Sequence, residues 1–318
     1  MVDLMGKKNY YFALSILIFI VGIVGLLLNG VEMDIQFKGG TIMQIEMPDD
    51  NFDTERAADI VKEAIGKIAT VNMSSTFNAA KEDEKINLMV INIASDDTLT
   101  DNERTAVINA LKKEFNIAED ASVNVNSVEP FIGKEFRVNA IKAIVLSSIL
   151  IIIYVWIRFR SMHGLSAGVF AVVALIHDIF VMFTAYVLFR IPLNDSFVAA
   201  MLTIIGYSIN DTIVIYDRIR ENSRIMHKTP IRELVNKSVL QCLTRSINTS
   251  VTTLISVLTL YVFSVIYNIQ SIREFTMPLV VGLISGAYST LFIASPLYML
   301  WQERNIKKNA AARKPAKA

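Results

Sequence analysis

Two carboxylates, Asp178 and Asp211, stand inside long apolar stretches of the chain. An acid in such a place is expensive and needs a partner or a purpose. Asp211 lies in Gly206-Tyr207-Ser208-Ile209-Asn210-Asp211-Thr212. If that stretch is helical, Ser208, Asp211 and Thr212 share one face through spacings of three and four. The following apolar stretch carries Arg245, Asn248, Thr249 and Thr252 at i, i+3, i+4 and i+7, a second polar stripe. A carboxylate opposite a guanidinium and hydroxyls predicts a buried polar cluster, and such an acid changes protonation as its surroundings pass from wet to dry. A static clamp between helices uses the same residues. Asp178 continues a row of small residues, Ala167, Ala171 and Ala174, which turns it towards other helices rather than lipid. His177 beside it suits a proton relay, although neighbours on a helix point about 100° apart. Packing alone accounts for Asp178 equally well.

Other chemistries find little support. Gly164-Leu165-Ser166-Ala167-Gly168 fits the hydrolase nucleophile pattern, but that pattern needs a strand before it. Here it opens an apolar helix after an arginine-rich segment, so it is a chance match. There is no Walker A loop and no H-E-x-x-H helix. Cys242 is the only cysteine, and His163, His177 and His227 are widely scattered, so neither a metal nor another cofactor is expected. An aspartyl protease would need Asp178 and Asp211 on one water. Their different depths argue against it. The chain is expected not to be an enzyme and not to bind nucleic acid.

The elements around these acids read as membrane helices. The chain is 53% hydrophobic with a mean hydropathy of +0.44, above the roughly 45–50% apolar content of soluble chains. Six stretches meet the requirement of about 20 apolar residues per crossing: 11–28, 138–157, 165–188, 197–216, 247–266 and 277–301. The first follows Lys7 and Lys8 and is too long for a typical signal core, so it reads as a retained anchor. Formal net charge is only +1, yet its placement is uneven. Arg158 and Arg160, the basic run from Arg218 to Arg245, and a tail containing Arg304, Lys307, Lys308, Arg313, Lys314 and Lys317 fall on one side with Lys7 and Lys8. Segment 31–136, on the other side, holds 21 acidic and 10 basic residues. The positive-inside rule then puts both termini in the cytoplasm and 31–136 outside a cytoplasmic (inner) membrane.

Segment 31–136 has its own pattern. Period-two alternation predicts strands at 41–47, 71–77, 86–93 and 122–128, with a charged turn at 81–85. Helical spacing predicts helices over 52–68 and 105–115, the second opened by a capping box of Thr100 and Glu103. The βαββαβ order suits a ferredoxin-like α/β sandwich. The expected fold is thus an α-helical membrane bundle of six transmembrane helices with an inserted α/β ferredoxin-like extracytoplasmic domain. Its parts are residues 1–30 (N-terminus and first helix), 31–136 (external domain), 137–301 (five-helix bundle) and 302–318 (basic tail). The acidic external surface reads mainly as a solvated face. Its charge and strand edges also suit contact with unfolded polypeptide.

The polar segments resemble those of a known family. Residues 206–222, running from Gly206-Tyr207-Ser208 to Arg220-Glu221-Asn222, resemble the fourth-span signature of the SecF family of protein-export membrane proteins. Leu243-Thr244-Arg245-Ser246 through Thr253-Leu254 is similar to the fifth span, and Gly286-Ala287-Tyr288-Ser289-Thr290 to the sixth. Phe37-Lys38-Gly39-Gly40-Thr41 resembles the glycine motif beyond span one. Two departures lie at joints: two residues separate Asp34 from Phe37, and Glu129-Pro130 replaces a more usual Gly-Pro. The family is related to resistance-nodulation-division transporters. The resemblance implies an auxiliary subunit that works with SecD on the SecYEG channel and its SecA motor, drawing exported polypeptides outward with the proton gradient. It makes Asp211 and Arg245 the proton-coupling pair, with Asp217, Arg218 and Asn248 in support. A proton-driven exporter of lipids or small molecules is the alternative. It fits less well, because such transporters usually hold twelve spans and two external domains in one chain.

Overall fold

The computed structural model describes residues 3–48, 51–77, 85–94, 99–119, 121–128, 130–267 and 269–312. The chain begins with helix α1 (Lys8–Asn29) and a short turn of helix α2 (Ile35–Lys38), then enters an α/β segment. That segment runs β1 (Gly40–Met47), α3 (Thr54–Ile65), β2 (Ala69–Phe77), β3 (Lys85–Ala94), α4 (Asp101–Glu114) and β4 (Val123–Val128). Helices α5 (Pro130–Arg158), α6 (Gly164–Phe189), α7 (Asp195–Ile225) and α8 (Ile231–Ile266) follow. A last continuous run joins α9 (Gln270–Ser289), a π-turn (Thr290–Ala294) and α10 (Ser295–Ala312). Among the described residues, α1, α5, α6, α7, α8 and this last run are long and apolar enough to cross a membrane.

The four strands form an antiparallel sheet in the order β2-β3-β1-β4. Alternation sets its faces. Met43, Ile45, Met89, Ile91 and Ile93 point at α3 and α4 and are buried with Val61, Val107 and Leu111. Ile42, Gln44 and Asn92 lie on the other face and, with Asn194 and Glu274 of the bundle, line a cleft of about 480 Å³. Asp53 caps α3 by accepting from the backbone N–H groups of Glu55 and Arg56. The expected continuation of that helix to Ile68 does not occur. Gly66 turns left-handed at φ 70°, a conformation glycine enters without steric cost, and ends α3 at Ile65. The capping box forms at α4 as expected, Thr100 and Glu103 satisfying each other's backbone N–H. Of the expected turn at 81–85, residues 81–84 lie outside the described residues and Lys85 opens β3; Glu129 and the tail residues Arg313, Lys314 and Lys317 also lie outside them.

The α/β segment is tied to one end of the bundle. Leu193, between α6 and α7, donates its N–H to Glu32 O and accepts from Asp34 N–H, both at 2.9 Å. Ser75 Oγ of β2 donates to Tyr267 O at 2.9 Å. At the opposite end, the basic run from Arg218 to Arg245, expected as a loop, is almost wholly helical. Leu234, Val235, Val239 and Cys242 are buried at three- and four-residue spacing, and this stripe carries α8 well past the apolar span. Only 226–230 separates α7 from α8. Within the bundle, α6 and the α9–α10 run are the most enclosed, and α5 and α8 the least.

Candidate functional site

Asp178 is fully buried at the junction of α6, α7 and α9. Its Oδ1 accepts a hydrogen bond from Ser285 Oγ at 2.6 Å. Its Oδ2 accepts from Ser208 Oγ at 2.9 Å and from Ser289 Oγ at 2.8 Å. His177 Nδ1 stands 3.3 Å from Oδ1. So adjacent residues do share a site here. A carboxylate at mid-membrane costs about 2.5–3.5 kcal/mol on insertion scales, while each hydrogen bond to a charged group contributes about 1.5–3 kcal/mol. Three hydroxyls are therefore enough to hold Asp178 out of water.

The surroundings are shaped for this cage. Gly286 leaves its space to the acid: a Cβ there would lie 3.2 Å from Ser208 Cβ and 3.7 Å from Asp178 Oδ2. Thr212 Oγ1 and Thr290 Oγ1 lie 3.0 Å apart beside it, and Thr290 opens the π-turn. Such turns inside α-helices occur frequently at functional sites. The His177 ring sits between Phe19 and Tyr288, at 5.6 and 5.8 Å between centroids. Its Nε2 is buried without a hydrogen-bond partner among the described residues.

Asp211 is a different site, half-buried between α7 and α8. Its Oδ1 accepts from Ser246 Oγ at 2.8 Å. Its Oδ2 is buried and has no hydrogen-bond partner among the described residues. The cluster expected of Ser208, Asp211 and Thr212 therefore divides. The three span about 100° of the helix, and at a junction of helices that arc looks at different neighbours. Ser208 meets Asp178 and Thr212 meets Thr290, while Asp211 turns to α8.

The expected Asp211–Arg245 ion pair is not formed within the chain. Arg245 is exposed on α8 and has no salt bridge among the described residues; Ser246, the next residue round the helix, takes its place. Asn248, Thr249 and Thr252 are exposed on the same outer face of α8. Asp217 and Arg218 lie towards the end of the bundle away from the sheet, where together with Arg245 they line a cavity of about 660 Å³. There Asp217 binds Arg158 at 2.9 Å and Arg220 at 2.7 Å. Arg218 binds Gln241 at 2.7 Å and Glu221 at 2.6 Å. Sequence reasoning missed Ser246, Ser285 and Ser289, although Ser285 and Ser289 share their small-residue stripe with Gly282 and Gly286. Among the described residues there is no group of three or more His, Cys, Asp or Glu that could hold a metal ion.

Helix α7 also leaves a polar stripe uncovered. Thr203, Gly206 and Asn210 are exposed, and a Cβ at Gly206 would meet nothing within 4 Å. With α8, this makes a face of small and polar residues on apolar helices, the composition through which membrane helices associate.

These features define a polytopic helical membrane protein, with acids buried among hydroxyls and a helical face built for association. Residues 107–304 match the family described as protein export membrane protein SecD/SecF, C-terminal. The protein translocase subunit SecF of Alicyclobacillus acidocaldarius is 35% identical, over 99% of this chain and 97% of its own. The protein translocase subunit SecDF of Bacillus subtilis is 36% identical over 97% of this chain, which spans 39% of that longer protein. The crystal structure of SecDF from Thermus thermophilus, a translocon-associated membrane protein, matches with a TM-score of 0.77 at 29% identity, covering 95% of this chain and 39% of that one. The chain belongs to the SecD/SecF family of protein-export membrane proteins.

Proposed function

We propose that the chain acts as an auxiliary subunit of the Sec translocase, joined to SecD, and couples the proton gradient to protein export. The observation that carries the coupling is Asp211: a half-buried carboxylate with one oxygen held by Ser246 and the other left open, beside the uncovered faces of α7 and α8. Protonation of that open oxygen weakens the bond to Ser246 and shifts α7 against α8. Arg245, exposed on α8, is available to a carboxylate on the SecD helices, with Asn248 beside it. Asp217 and Arg218 hold the far end of α7 in register. Asp178 holds α6, α7 and α9 together while α7 moves, or passes the proton on through His177.

Relatives that carry both parts in one chain support the SecD pairing. Charge placement supports cytoplasmic termini and an external α/β domain spanning 31–136. The strand order β2-β3-β1-β4 with two helices on one face supports a ferredoxin-like assignment. That domain's acidic surface and its edge strands suit contact with exported polypeptides on their way from SecYEG and SecA. One charge crossing the membrane potential releases about 2.3 kcal/mol per 100 mV, comparable with breaking one charged hydrogen bond. The test is export into inverted membrane vesicles with and without an uncoupler. Asp211→Asn should abolish the uncoupler-sensitive part while SecD still copurifies; an unchanged uncoupler response would reject the role.

A further inference from the structure

We infer that the end of the bundle away from the α/β segment carries a binding site for an anionic phospholipid, in the groove between α5, α6 and α10. The groove encloses about 510 Å³. Trp156, Trp301, Val169 and Phe170 supply its apolar lining, and Arg160 and His163 its polar one. His163 is held at φ 56° with its ring edge-on to Trp301, 5.5 Å between centroids. Tryptophan at this level marks the boundary between headgroups and acyl chains.

Charge selects the occupant. The neighbouring arginines are engaged inside the protein, Arg158 and Arg220 sharing the single carboxylate of Asp217 and Arg218 pairing with Glu221, which leaves this end with net positive charge. Arg160 has no ion pair or hydrogen bond among the described residues. No Asp or Glu lines the groove, so nothing there would receive the ammonium of a zwitterionic headgroup. A phosphate carrying uncompensated negative charge fits the Arg160 end, and its acyl chains continue over Val169 and the exposed face of α6. A free phosphate would leave that apolar lining uncovered. The inference depends on the helices spanning a membrane and not on the export role.

The test uses an accident of composition: the chain has two tryptophans, and both line this groove. The full-length protein is placed in nanodiscs of mixed phosphatidylglycerol and phosphatidylcholine with matched acyl chains. In one set only the phosphatidylglycerol is brominated, in the other only the phosphatidylcholine. At equal mole fractions, quenching by brominated phosphatidylglycerol should report about fivefold local enrichment, the attraction of roughly one surface arginine for anionic lipid. Arg160→Gln should abolish the preference, Arg160→Lys should restore part of it, and Lys228→Gln, in the link between α7 and α8 and outside the groove, should leave it intact. The preference is a ratio within each variant, so partial loss of folded protein does not disguise it. Equal quenching by the two labels, a preference surviving Arg160→Gln, or its displacement by inorganic phosphate alone would overturn the proposal.

Discussion

Ser246 donates its hydroxyl to Asp211 across 2.8 Å, and it is the one side chain among the described residues that hydrogen-bonds this carboxylate. Removing it leaves a half-buried acid without a donor among the described residues. A hydrogen bond to a charged group is worth about 1.5–3 kcal/mol, a factor of roughly ten or more in an equilibrium. Ser246→Ala should therefore lower gradient-stimulated export by about tenfold, and Ser246→Thr, which keeps the hydroxyl, should retain most of it. Vesicle export at fixed SecA with and without uncoupler gives the measurement. Equal activity of the Ala and Thr variants at the parental level would show that the bond does not matter to the cycle.

Asp178 leads to a stability prediction of the opposite weight. Asp178→Ala leaves the hydroxyls of Ser208 and Ser285 buried without an acceptor, and that of Ser289 with only its 3.3 Å bond to Gly286 O. Each orphaned group costs about 1–3 kcal/mol. The variant should lose several kcal/mol and show the largest fall in melting temperature among the acids of the bundle. Asp178→Asn keeps one acceptor oxygen and should fall less. Thermal aggregation in detergent, followed by size-exclusion chromatography, ranks the two. A melting temperature for Asp178→Ala within a degree or two of the parent would remove the cage from the account of the fold.

Much of this architecture was legible in the chain. Six apolar runs and the capping box at Thr100 depend on local pattern, and local pattern is what a sequence displays. The polar sites were less legible because they depend on azimuth. Ser208, Asp211 and Thr212 read as one stripe, yet the arc between them is wide enough to serve α6, α9 and α8 separately. Arg245 looked like the natural partner of Asp211 by charge, while Ser246 is the partner by geometry. Ser285 and Ser289 were not legible as donors to an acid, since a serine near two glycines reads equally as close packing. The length of α8 was hidden because its basic surface masks the buried row Leu234, Val235 and Val239.

Two glycines separate packing inside the chain from packing against a partner. A side chain at Gly282 would collide with Ile204 at 2.5 Å and Met182 at 2.8 Å, whereas one at Gly206 would meet nothing within 4 Å. Gly282→Leu should lower the melting temperature of the isolated chain. Gly206→Leu should leave that temperature unchanged but reduce SecD copurification several-fold, because a bulky residue holds the next helix away. Full SecD recovery with Gly206→Leu would place the partner on another face.

The pH dependence of the α/β segment should centre on Glu103. Its carboxyl is held well below the usual 4.5, at about 2, by the backbone N–H of Thr100 first, then by Lys67 at 3.0 Å and the Thr100 hydroxyl. A depressed carboxyl gives stability that is fully present above its unfolded value and is lost as pH falls through its folded value. The contribution should hold from neutrality to about pH 4.5, shrink below that, and be gone beneath about pH 2. Glu103→Gln should accordingly lower the urea midpoint of this segment at pH 7, and parent and variant should converge as the pH approaches 2. A deficit of the same size at both extremes would mean that the substitution acts through the shape of the α4 cap rather than through its charge.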